Sequence, residues 1–123
     1  MSERMGNMTA TASPPGLVPP QAIDAERSVL AAMMLDATAI GLAVEQIDAS
    51  VFYRTSHAKV FDALVSLYTR GENADIITVS EELRSRGDLE AIGGPATLGQ
   101  IMEYATTTAN IEQHIRIVHS KSI

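Results

Sequence analysis

Apolar residues recur along most of this chain with a helical period. Val29, Leu30, Met33 and Met34 form one stripe, and Asp24 and Glu26 just ahead of it place acids in what reads as a first turn, so the spacing predicts a helix over about residues 23–35. Asp36 can cap a second helix carrying Ile40, Val44 and Ile47 at i, i+4, i+7, which Asp48 and Ser50 then break. A short aromatic turn follows at Val51-Phe52-Tyr53. The strongest stripe is Val60, Phe61, Leu64, Val65, Leu67 and Tyr68, closed by Gly71 as a left-handed C-cap; it predicts the central core helix.

Thr78-Val79-Ser80-Glu81 has the form of a capping box, which predicts a helix from Val79 to near Gly87. Gly93-Gly94-Pro95 makes a bend and sets Pro at a first helical position, ahead of Leu98, Ile101, Met102 and Ala105. Thr106-Thr107-Thr108 interrupts the pattern, and Thr107 or Thr108 can cap a last helix with Ile111, Ile115 and Val118 on one side. That helix meets no stop signal before Ile123, the mark expected of a truncated element. No segment alternates apolar and polar residues for long, so the expected fold class is all-α: a compact bundle of about six helices.

The first 18 residues lack any period and hold Pro14-Pro15-Gly16, which reads as a disordered tail. A chain of 123 residues suits one core, and 46% hydrophobic with 20% charged residues is ordinary for a globular protein. With 2 Phe, 3 Tyr and no Trp, packing must rest on aliphatic residues and Met. No apolar run approaches the roughly 18 residues of a spanning helix, so a soluble protein without a membrane partner is expected. The absence of cysteine agrees with a cytoplasmic setting.

Charge and motif content narrow the function. A net charge of -6 with scattered basic residues argues against a duplex-binding surface, because that affinity comes from cations neutralising phosphates. Neither Lys59 nor Lys121 follows a glycine, so the phosphate-cradling loop of a nucleotide-binding motor is absent. His114 and His119 point about 140° apart on a helix, and with His57 they make no ligand pair, so no metal is expected. Glu81-Glu82 and Asp88 with Glu90 read as solvated surface, and paired Met33-Met34 as core filling rather than an adaptable binding face. Pro95 removes one of the amide donors an anion would need at Gly93-Gly94. No catalytic residue, cofactor or metal is expected in this chain.

The order of several short motifs adds a specific likeness. Val18-Pro19-Pro20 leading into Ile23-Asp24-Ala25-Glu26-Arg27-Ser28-Val29-Leu30 resembles the opening of replicative DNA helicases of the DnaB type. Met34-Leu35-Asp36, Phe52-Tyr53 with His57 and Val60-Phe61, and Gly71 through Asp75-Ile76-Ile77-Thr78 to Leu83 are similar to further steps of that family's N-terminal region. Gly87 and Leu89, Ile92-Gly93-Gly94, and Thr107-Thr108-Ala109-Asn110 through Ile117-Val118 follow in the same order, so the resemblance covers about residues 18–123.

The resemblance implies a helical head over residues 19–106 and, over 107–123, the first part of a helical hairpin, with the ATPase domain that would use ATP and Mg lying outside this chain. It implies a non-catalytic collar domain acting in DNA replication. Its expected partners are neighbouring helicase subunits in a hexamer and the helicase-binding domain of primase, with little direct contact to nucleic acid. Asp24 keeps the negative charge that the family associates with primase response, whereas Thr97 stands where many members carry a Tyr tied to that interaction. Ile111, Ile115 and Val118 are the expected oligomerisation stripe. A free-standing helical adaptor, or the related helicase-binding domain of a primase, is the alternative that the same residues allow.

Overall fold

The computed structural model describes residues 20–105 and 111–121. The expected tail, the three threonines and the capping role of Thr107 or Thr108 lie outside them. The described residues form α1 (Pro20–Leu35), α2 (Ala37–Val44), a 3-10 turn (Ala49–Val51), α3 (Thr55–Thr69), α4 (Ile76–Ser85), α5 (Pro95–Met102) and α6 (Ile111–Lys121), with no strand among them. The all-α expectation holds.

The helix at the centre is α1 rather than α3. Helices α2, α3, α5 and α6 all pack on α1, and Ala25, Val29, Leu30, Ala31, Ala32 and Met33 are buried along its length. A helix enclosed on several sides is apolar nearly all round, which weakens the periodic signal that a one-sided helix such as α3 displays. The alanines also let neighbouring backbones approach closely. Helix α1 begins at Pro20, about a turn before the expected start, since proline is tolerated in a first turn where its missing N–H has no helical partner. Asp24 and Glu26 therefore fall outside the first turn and do not serve the helix dipole.

Start and stop chemistry sets the other boundaries. Asp36 caps α2, its side chain accepting from Thr38 N–H at 2.9 Å. Asp48 does the same for the 3-10 turn, accepting from Ser50 N–H at 2.9 Å and from the Ser50 hydroxyl; these bonds hold its carboxyl below the usual range. At α4 the expected capping box moves three residues towards the N-terminus. Asp75 is the cap, its carboxylate accepting from Thr78 N–H at 2.9 Å while the Thr78 hydroxyl accepts from Asp75 N–H at 2.9 Å. Aspartate keeps its charge against the exposed amides of the helix start, so the stronger cap wins over Thr78. The Thr78 amide accordingly holds the Asp75 carboxyl below its ordinary value.

Helices α3 and α4 end alike. Gly71 and Gly87 adopt φ of 75° and 78°, and the following residues close the helix with Glu72 N–H to Leu67 O at 2.9 Å and Asp88 N–H to Leu83 O at 2.8 Å. Pro95 opens α5 behind Gly94, as the sequence predicts. Along α3 the expected face is buried at Val60, Phe61, Leu64 and Leu67, but Tyr68 is exposed. Phe52 and Phe61 pack with ring centroids 5.1 Å apart, seating the aromatic turn on the core.

Candidate functional site

Two polar clusters stand on α1, one buried and one exposed. In the buried one, Glu26 and His57 are each only 2% exposed, and Glu26 Oε1 lies 2.7 Å from His57 Nδ1. Glu26 Oε2 accepts from the Tyr53 N–H at 2.6 Å. With the carboxylate as acceptor the proton of the imidazole sits on Nδ1. Both carboxylate oxygens are engaged, so one side chain ties α1 to α3 and to the turn before it. The arrangement pins three elements together within the core.

Sequence reasoning missed this pair, although a signal was present. Glu26 lies on the same helical face as Val29, Leu30 and Met33, and His57 bears the same relation to Val60, Phe61 and Leu64. A charged group in phase with an apolar stripe must be buried, and a buried charge needs a partner.

The exposed cluster contains Asp24. Arg27 Nη1 donates to Asp24 Oδ1 at 3.0 Å and to the Tyr104 hydroxyl at 3.4 Å, and the Arg27 guanidinium carbon lies 5.3 Å from the centroid of the Tyr104 ring. An acid, a cation and an aromatic from opposite ends of the head thus share one surface, and Arg and Tyr are types that protein interfaces favour at their anchors. Tyr104 carries no helical stripe of its own, and sequence spacing gives no reason to place it beside residue 24. Thr97 is placed elsewhere: its N–H donates to Gly94 O at 3.1 Å, and its hydroxyl occupies the space that a Cβ at Gly93 would need. It shapes the turn into α5.

The expected oligomerisation stripe is turned inward. Ile111, Ile115 and Val118 are each at most 2% exposed, and α6 lies along α1. In this chain they hold α6 onto the head. In the acidic pairs, Glu82 accepts from Arg70 at 2.8 Å and Arg86 at 2.9 Å, which holds its carboxyl low, and Asp88 accepts from Lys59 at 3.1 Å, while Glu81 and Glu90 are exposed as expected. Among the described residues, no group of three or more His, Asp or Glu side chains is gathered as a metal site, and no helix is long and apolar enough to cross a membrane.

Fold and site together define a helical head in which the buried acid and imidazole serve the architecture and a second polar cluster lies at the surface. Comparison with known proteins narrows that class. The family model described as the DnaB-like helicase N terminal domain matches residues 18–120, and the chain belongs to that family. The replicative DNA helicase DnaB of Treponema pallidum (strain Nichols) is 42% identical over 103 residues, covering 84% of this chain and 24% of that protein. The DnaB of Geobacillus stearothermophilus is 42% identical over 106 residues, covering 86% of this chain and 23% of that one. Among solved structures, the N-terminal domain of DnaB helicase from Mycobacterium tuberculosis aligns with a TM-score of 0.79 at 43% identity, covering 84% of this chain and 75% of that one. The chain spans about a quarter of the length of the curated relatives it matches.

Proposed function

We propose that this chain serves a replicative DNA helicase as a non-catalytic collar domain, helping neighbouring subunits assemble into a ring and receiving the helicase-binding domain of primase. ATP and Mg belong to a motor domain not contained in these residues, and the working compartment is the cytoplasm. The observation that carries the docking reading is the Asp24–Arg27–Tyr104 cluster, which presents the acid that the family associates with primase together with a cation and an aromatic. Tyr104 takes the aromatic part that Thr97 does not supply.

The docking test is a titration of the chain with the helicase-binding domain of primase, followed by calorimetry and amide chemical shifts. Binding that weakens on Asp24→Ala and on Tyr104→Ala supports the reading. Binding indifferent to both, or none, overturns it. Assembly is read by sedimentation: with Ile111, Ile115 and Val118 covered by α1, the chain alone is expected as a monomer or weak dimer at micromolar concentration. A stable hexamer of the 123-residue chain would show that the head itself closes the ring.

A further inference from the structure

A groove lies at the far end of α1, where the α1–α2 junction meets the end of α3 and the segment leading into α4. Its volume is about 250 Å³, and Met33 and Met34 are among its lining residues. Leu35 and Tyr68 also line it and are 54% and 41% exposed, large apolar surface left open to water. The charged residues lining it are Asp36, Glu72 and Asp75, all acidic. Leu35 is eleven residues along α1 from Asp24, about 16 Å at the helical rise, so the groove stands apart from the Asp24 cluster and does not depend on the primase reading.

We propose that this groove docks a basic amphipathic helix of another protein. Three features of the groove select that occupant. First, the volume is below the roughly 300–1,000 Å³ of small-molecule sites and suits one or two apolar side chains of a helix laid across it. Second, Leu35 and Tyr68 leave large apolar area open to water beside that volume, over a floor of buried Met33 and Met34, and the apolar face of a helix would cover it. Third, the acidic rim favours Lys and Arg beside those anchors.

The same rim disfavours a second copy of this chain, because a two-fold contact would set Asp36, Glu72 and Asp75 against their own equivalents. Nor does α6 offer a basic apolar face to the groove, since Ile111, Ile115 and Val118 are buried against the head. Asp36 and Asp75 each cap a helix start, which offsets part of their charge, and Arg70 donates to Glu72 at 3.1 Å. The apolar anchors therefore provide most of the affinity and the rim provides the choice of partner.

The test is a displayed library of helical peptides with two fixed leucines at i, i+4 and random flanks, selected on the 123-residue chain. Enriched flanks should be rich in Lys and Arg, and the selected peptides should shift the amides of Leu35, Tyr68 and Ala74. Leu35→Ser should weaken them roughly tenfold or more, the loss of one buried aliphatic contact. Glu72→Lys should weaken them by about threefold. Amide spectra of both variants establish that each is folded. Neutral or acidic winners, shifts confined to another face, no enrichment, or a dimer in sedimentation that Leu35→Ser dissolves would each overturn the proposal.

Discussion

Removing the Glu26 carboxylate tests the idea that one buried acid joins three elements. Glu26→Ala leaves the Tyr53 N–H and the His57 Nδ1–H, at 2.6 and 2.7 Å from the carboxylate, without their acceptor in a region closed to water. Hydrogen bonds to a charged group contribute about 1.5–3 kcal/mol each, so losing both costs about 3–6 kcal/mol. Against a whole-domain stability of about 5–15 kcal/mol, that loss should lower the urea midpoint steeply or unfold the chain. Glu26→Gln keeps an acceptor for Tyr53 and should cost less, about 1–2 kcal/mol. The sharper measurement is a double-mutant cycle with His57→Ala, read from urea unfolding by circular dichroism. Once Glu26 is gone, losing His57 should cost less than it does in the native chain. Additive losses, or a Glu26→Ala cost under about 1 kcal/mol, would refute the idea that this pair holds α1 to α3.

Three further outcomes are expected. Asp75→Ala and Thr78→Ala should each lower stability by about 1 kcal/mol, and the double variant by less than the sum, because the two residues form one reciprocal cap; additive costs would mean that they act separately. Phe61→Ala, which empties a core site beside Phe52, should cost about 3–5 kcal/mol by thermal or urea unfolding, and a loss under about 1 kcal/mol would mean the site collapses freely. Asp48, Asp75 and Glu82 are all held below the ordinary carboxylate range, so their contribution is complete above about pH 5 and disappears as the pH falls through their lower folded values. Urea midpoints taken from neutral to strongly acidic pH should fall in that window, and Glu82→Gln should flatten the fall.

Elements governed by local chemistry were legible in the sequence. Asp36 as a cap, Gly71 as a left-handed stop, the helix end near Gly87, and Pro95 behind Gly94 depend on a few neighbouring atoms, and the structure uses them as expected. At α4 two overlapping boxes compete, and only the relative strength of Asp75 and Thr78 as caps decides between them. The rank of the helices was less visible, because the enclosure of α1 by its neighbours blurs the period that made α3 conspicuous. Polar contacts across the fold, such as Glu26 with His57 or Arg27 with Tyr104, depend on how helices meet. Their separations of 31 and 77 residues leave no mark in any local spacing.

The inward stripe of α6 has a consequence for how such chains can associate. Because α6 is joined to α1 by the same polypeptide, α1 competes for Ile111, Ile115 and Val118 at an effective concentration on the order of millimolar, whereas a second chain arrives at its bulk concentration. At micromolar protein the tethered contact therefore prevails by roughly a thousandfold for equal intrinsic affinity. Covering those three side chains contributes roughly 5 to 9 kcal/mol as an upper figure, which an intruding copy would first have to displace. Two chains can still meet without that exchange through the outward side of α6, where Glu112, Gln113 and Arg116 are exposed. Contacts made there would be polar and salt-sensitive, and helix α6 would act in them as a rigid extension of the head it rests on.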